Sequence, residues 1–200
     1  MGRVLLAVLI GLVGAAIVHI AVIFAIPGQS RNDAWSRLER LGPAFATVPV
    51  APLPPPEPGG AEPSSGAAFS FVDPAFLTVA CRFSTENGPV RIVAGERTPF
   101  WSTSISGRNG DNLYSISERA ALDGQLNLFV GTRDQLDLGR IEGSDLDPSA
   151  IPVELAAEEA ILVVRALVGE ESQRPYVDRF VRSIGCRPAT PEEAGRTPGS

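Results

Sequence analysis

The residues best suited to chemistry lie in one stretch, PFWSTSISGRNGDNLYSISERAA, at positions 99–121. Two runs that alternate aromatic or aliphatic residues with hydroxyl residues flank a polar GRNGD core. Aromatic rings, a guanidinium and a carboxylate are groups that polar-ligand pockets and protein contacts both use. The candidate contact residues are therefore Trp101, Arg108, Asn109, Asp111 and Tyr114.

The serines of this stretch have no partner that could activate them as nucleophiles. The chain contains no lysine, and its single histidine is His19, inside the apolar N-terminal segment. A Ser-His-Asp triad, a Cys-His pair, a Ser-Lys pair and a Schiff-base lysine are therefore excluded from the folded region. We predict no catalytic residue of these kinds.

Carboxylate acid–base chemistry is the one catalytic class that the composition leaves open. Its possible acids and bases follow no defined spacing, and they are Asp73, Asp111, Glu118, Asp123 and Asp134. A carboxylate-dependent hydrolase would need two such groups facing each other across a cleft.

Metal and cofactor motifs are missing from the sequence. The acidic stretch DQLDLGRIEGSDLDPS lacks the residue order of a calcium loop and is typical of a solvated loop. Two cysteines cannot complete a common zinc site, and neither a P-loop nor a dinucleotide-binding glycine motif occurs. We therefore expect no metal and no cofactor. The net charge of −6 also argues against a nucleic-acid partner.

The first 27 residues predict a transmembrane anchor. Val4–Ile26 is a run of 23 residues without charge, which as a helix spans about 34 Å, enough to cross a bilayer. A cleavable signal peptide is the alternative, but its apolar core is usually about 7–15 residues long. His19 inside the span is either a functional group or a neutral side chain bonded within the membrane, and we favour the second.

Residues 28–42 predict a short juxtamembrane helix. Ser30 and Asp33 form a helix start signal, and Trp35, Leu38 and Leu41 follow at a spacing of three. We expect the ring of Trp35 to lie at the level of the lipid headgroups.

Orientation and compartment depend on opposing signals. Three arginines follow the span and one precedes it, which favours a cytoplasmic C-terminal domain. The long apolar N-terminus is typical of a signal-anchor, and the two cysteines favour an oxidising compartment. Cys81 and Cys186 form either a disulfide or a pair of buried thiols, and we favour the disulfide.

The rest of the chain divides into a tether, a domain and a tail. Residues 43–68 contain eight prolines and predict an extended tether, whereas residues 188–200 predict a disordered tail. Residues 69–187 carry the folded domain.

Alternating patterns predict strands in this domain. Strands are expected in FLTVACRF, PVRIVA, both halves of the 99–121 stretch, QLNLFVG, IPVEL and AILVVRALV, the last two as a pair. Val177, Phe180, Val181 and Ile184 predict a final amphipathic helix that ends at Gly185. The expected fold is mainly β (α+β), an antiparallel sandwich or open barrel closed by that helix.

The stretches FWSTSISGRNGDNLYSISER, DPAFLTVACRF and HIAVIFAIPGQSRNDAWSRL resemble the bacterial domain of unknown function 1254 family. They are most similar to its small branch, in which one N-terminal membrane helix carries a single domain. The resemblance implies a β-rich fold and, in larger soluble members, pairing with a second uncharacterised domain. It implies no activity and no catalytic residue.

Three functional hypotheses follow. The first is a single-pass inner-membrane protein of a Gram-negative bacterium whose periplasmic domain is a non-catalytic interaction or accessory module, with the lipid bilayer and an envelope protein as partners. The second is a small-molecule or glycan-binding module lined by Trp101, Tyr114, Arg108 and Asp111. The third is the carboxylate-dependent hydrolase.

Overall fold

The computed structural model describes residues 1–29, 34–50, 73–141 and 148–190. The chain divides into two compact units, Met1–Ser36 and Arg37–Ser200. The predicted tether beyond residue 50, the helix start signal at residues 30–33 and the tail beyond residue 190 lie outside the described residues.

The first unit is dominated by one apolar helix, α1 (Gly2–Gln29). Its stretch Gly2–Ala25 has a mean hydropathy of 2.7, and none of its most apolar window is buried by protein. The length and composition of this helix suit a membrane anchor or a signal sequence.

The second unit contains most of the β structure. The strands are β1 (Thr47–Pro49), β2 (Phe76–Ser84), β3 (Val90–Ala94), β4 (Trp101–Gly107), β5 (Asn112–Ser117), β6 (Asn127–Gly131), β7 (Ile151–Glu154), β8 (Glu159–Leu167) and β9 (Ile184–Pro188). The further helices are α2 (Ala34–Leu41), α3 (Arg133–Ile141) and α4 (Arg174–Arg182), with short 3-10 segments at Glu118–Ala120, Leu122–Gly124 and Glu171–Gln173.

The strands form two sheets. The first sheet has the order β1-β2-β8-β4-β5, and all its pairs are antiparallel. The second has the order β7-β6-β3-β9 and is antiparallel except for the β6–β7 pair. The predicted α+β fold with an N-terminal apolar helix is confirmed, and its two open sheets have a sandwich-like layout.

Alternation along the strands determines which side chains enter the core. In β2 the inward residues include Val79, Cys81 and Phe83, and in β4 they include Trp101 and Ile105. Because side chains alternate in a strand, the serines of β4 point to the opposite, outer face. Helix α4 adds its buried face to the same core, with Val177, Phe180 and Val181.

The C-terminal end differs from the sequence prediction. Helix α4 ends at Arg182, and the last described element is strand β9, which contains Ile184, Gly185 and Cys186. Ile184 is buried because it points inward from β9 beside Ala94 of β3, and its helical spacing from Val177 is coincidental.

Strands β7 and β8 do not form the predicted pair. β8 lies between β2 and β4 in the first sheet, whereas β7 lies beside β6 in the second. β7 runs parallel to β6 because helix α3 provides the crossover that a parallel pair requires. The acidic stretch that contains α3 was expected to be a solvated loop, whereas Leu136 of this helix is buried.

The folded unit also begins earlier than predicted. β1 pairs with β2, so residues 43–50 belong to the fold and not to a tether. The guanidinium of Arg82 donates to the carbonyl of Gly42 at 3.1 Å and lies 3.8 Å from the Glu39 carboxylate. Because Arg82 points outward from β2, the end of α2 lies against the outer face of the first sheet.

Trp35 does not have the exposed ring that an interfacial role predicts. Its side chain is only 8% exposed, and Leu38 on the same helix is 3% exposed. The spacing of three therefore places Trp35 and Leu38 on the buried face of α2.

Candidate functional site

The GRNGD segment forms the turn of the β4–β5 hairpin, as predicted. The amide of Gly107 donates to the carbonyl of Asp111 at 2.9 Å, and the amide of Gly110 donates back to the carbonyl of Gly107 at 2.9 Å. Gly110 has a φ of +87°, a conformation that side chains with a Cβ rarely adopt. This turn holds Arg108 and Asn109 exposed at one end of the first sheet.

A surface groove of about 710 Å³ lies at this turn, and we call it the tip groove. The hairpin contributes Gly107, Arg108, Asn109, Asp111 and Leu113. The other wall comes from segments distant in sequence, namely Ser84, Glu86 and Ala156–Glu159. The groove thus forms where the β2–β3 turn and the β7–β8 link meet the hairpin tip.

Hydrogen bonds hold these segments in place. The amide of Thr85 donates to the carbonyl of Glu158 at 2.9 Å, which joins the β2–β3 turn to the β7–β8 link. Within that turn, the amide of Glu86 donates to the Ser84 hydroxyl at 3.2 Å. The backbone beneath the groove is therefore fixed while the charged side chains face solvent.

The tip groove is acidic. Its lining includes four carboxylates, of Glu86, Asp111, Glu158 and Glu159, and one guanidinium, of Arg108. Arg108 Nη1 lies 2.7 Å from Glu159 Oε2, and both side chains are substantially exposed. Because this pair offsets only one carboxylate, the groove presents net negative charge to a binding partner.

Trp101 does not line this groove. Its side chain is fully buried in the core, and its indole N–H donates to the carbonyl of Gly124 at 2.8 Å. The alternation that makes β4 a half-buried strand directs the ring of Trp101 inward, so this candidate contact residue is not part of the tip groove. The glycan hypothesis loses the aromatic surface on which it depended.

Tyr114 is also directed away from the groove. It lies opposite Ile105 and packs against the core, and burial raises the pKa of its phenol. Of the five predicted contact residues, the structure brings together Arg108, Asn109 and Asp111, and it separates Trp101 and Tyr114 from them.

The serines of the hairpin lie together on the outer face of the first sheet. Ser102 lies opposite Ser117, and Ser104 lies opposite Ser115. With Val163 and Arg165 of β8 these serines line a shallow depression of about 490 Å³. No histidine or lysine is available beside them, so this hydroxyl surface can offer hydrogen bonds but no activated nucleophile.

The possible catalytic carboxylates are distributed over separate segments. Asp73 lies 3.7 Å from Arg165, Glu118 lies beside Arg119, and Asp134 lies in the first turn of helix α3. Asp111 alone among the five lines the tip groove. Within the described ranges, no three His, Cys, Asp or Glu side chains come together to hold a metal ion.

Glu86, Glu158 and Glu159 of the tip groove were not among the predicted contact residues. Glu158 and Glu159 lie between the stretches IPVEL and AILVVRALV, which were predicted as strands. Their contribution depends on the placement of β8 beside β4, which brings Glu159 to the hairpin tip. The adjacent pair of acids before an apolar strand is the one local signal that marked them.

No family model and no curated protein matches this chain. Four solved chains match in structure, among them the VPA0106 protein of Vibrio parahaemolyticus, at 11% identity and a TM-score of 0.49. That match covers 64% of this chain and 31% of that one. An uncharacterised protein of Burkholderia cenocepacia matches at 12% identity and a TM-score of 0.40, over 72% and 34%. The chain thus spans about a third of each of these structures.

Proposed function

We propose that this chain is a single-pass inner-membrane protein whose periplasmic β domain is a non-catalytic interaction module of the bacterial envelope. We also propose that it belongs to the small membrane-anchored branch of the domain of unknown function 1254 family, which its motifs resemble. The role of the module is to bind an envelope protein through the tip groove.

The apolar helix supports the anchor. Gly2–Ala25 comprises 24 residues and would measure about 36 Å as a helix, which exceeds the hydrocarbon thickness of a bilayer. Its exposed apolar surface is costly in water and is stabilised by lipid. A retained helix would therefore keep the domain attached to the membrane.

The disulfide is the main observation that supports a periplasmic location of the domain. Cys81 and Cys186 are bonded and both are at least 95% buried, and the described residues contain no free cysteine. Stable disulfides form in the periplasm and not in the reducing cytoplasm. This favours the periplasm over the cytoplasmic orientation that the arginine count indicates.

Charge supports the choice of partner. Four carboxylates and one guanidinium line the tip groove, which suits a partner that presents lysine or arginine side chains. The groove lacks an exposed aromatic platform and an activated nucleophile, so binding is the activity that its chemistry favours. Such an interface should weaken as the salt concentration rises.

The test is recovery of partners from solubilised membranes with the full chain as bait. We expect a protein that the wild type retains at low salt and that the Glu86→Gln/Glu158→Gln variant loses. Glu170→Gln/Glu171→Gln removes the same charge from the exposed surface near α4 and serves as the matched control. Recovery of no partner, or of the same partners with all three proteins, would contradict the proposal.

A further inference from the structure

Strand β5 forms one edge of the first sheet. The order β1-β2-β8-β4-β5 leaves its outer side without a strand among the described residues. Its sequence, NLYSIS, contains no charged residue and no proline. An uncharged edge of this kind offers free backbone groups to another strand.

The other three edges carry features that discourage pairing. β1 has three residues and ends at Pro49, and β7 contains Pro152 and Glu154. β9 ends with Arg187 and Pro188. Short strands, charges and prolines are the usual protection of sheet edges, and β5 is the edge that lacks all three.

We propose that β5 pairs antiparallel with β5 of a second copy of this chain. The pairing brings no charges into opposition, because the strand has none. Directly opposite residues of an antiparallel pair share a face. The two-fold axis therefore passes midway between one residue and the same residue of the second copy. With the axis at Ser115, that serine meets its own copy and Tyr114 meets Ile116 of the second copy, and both cores are extended.

A two-fold axis at β5 places the end of α2 of both copies on the same side. Through Arg82, residues Glu39 and Gly42 lie against the outer face of the first sheet. The two-fold axis of an antiparallel strand pair is perpendicular to the sheet, so the outer faces of both copies point the same way. The ends of α2 in both copies, at Glu39 and Gly42, then lie on the same side of the paired sheets.

The test compares the mass of the full chain in lipid nanodiscs for the wild type, Ser115→Lys and Ser115→Glu. We expect a dimer for the wild type and at least about a tenfold weaker dimer for each variant alone, since like charges then meet at the axis. Coexpression of the two variants should restore pairing, because opposite charges meet. Ser104→Lys changes the same face one strand further in and should leave the dimer intact.

Three results would overturn the dimer. One is a monomeric wild type. This holds even if the β5 amides are protected from hydrogen exchange by residues 51–72 of the same chain or by another protein. Another is a dimer that Ser115→Lys does not weaken. The third is a failure of the coexpressed variants to pair. A mobility shift on reduction in non-reducing gels shows that each variant folds, and partner recovery through the tip groove tests the proposed function separately.

Discussion

Cys81 in β2 and Cys186 in β9 form a disulfide that joins the two sheets of the sandwich. Their Cα atoms lie 6.6 Å apart, and the bond connects positions separated by 105 residues. Both residues point into the core, so the bond ties the C-terminal strand to the first sheet. The disulfide therefore links the fold to the compartment in which the chain matures.

Removal of this disulfide should lower the free energy of unfolding. A closed loop of this length contributes at most about 4–5 kcal/mol in the chain-entropy model, so we expect a loss of about 2–5 kcal/mol in Cys81→Ala/Cys186→Ala. Chemical denaturation of the full chain in detergent measures it. Each single variant should lose nearly as much as the double one, since either removes the bond. An unchanged midpoint in the double variant would contradict a structural role.

Trp101→Phe should destabilise the domain without affecting partner binding. The substitution removes the indole N–H that donates to the Gly124 carbonyl and leaves a void in the core. We expect a loss of about 1–3 kcal/mol in the free energy of unfolding, whereas the exposed Tyr176→Phe should change it by less than about 0.5 kcal/mol. A stable Trp101→Phe that no longer retains its partner would mean that the ring is a contact residue.

The Arg108–Glu159 pair should matter for binding more than for stability. Exposed ion pairs contribute at most about 1 kcal/mol, so Arg108→Gln should change the free energy of unfolding by no more than that. It should strengthen retention of a basic partner, because the groove becomes more negative, whereas Glu159→Gln should weaken it. Loss of the partner in Arg108→Gln would instead show that the guanidinium makes the contact.

Tyr114 should titrate above its ordinary pKa of 10.0 because burial disfavours the phenolate. A raised pKa in the folded state means that this group contributes stability below pH 10, and that the contribution is lost as the pH rises through the folded pKa. The chain has two tyrosines, so the absorbance of Tyr176→Phe follows Tyr114 alone. Titration at the same pH in native and denatured protein would contradict the burial of the ring.

Local patterns predicted the strands because one face of each is buried. The period of two in β2 and β4 identified Cys81 as inward and the serines as outward. The same pattern puts Trp101 on the face of Ile105, and the structure shows that this face is buried.

Strand partners and the full site were beyond the sequence because they depend on contacts between distant segments. β7 is short, and its pairing with β6 follows from helix α3, whose acidic sequence is also typical of a solvated loop. β1 was not predicted because it lies in the proline-rich stretch of residues 43–68, which is typical of an extended tether. The tip was identified from its turn residues, whereas Glu86 and Glu158 join it only through the backbone bond between Thr85 and Glu158.

The most direct test of the account is the side of the membrane on which the folded unit lies. Alkaline phosphatase, active only in the periplasm, and a green fluorescent protein, fluorescent only in the cytoplasm, are fused in turn after residue 200 of the full chain. A periplasmic domain predicts an active phosphatase, a dark fluorescent protein and a chain whose gel mobility shifts on reduction. A fluorescent fusion with inactive phosphatase and two free thiols would contradict the account.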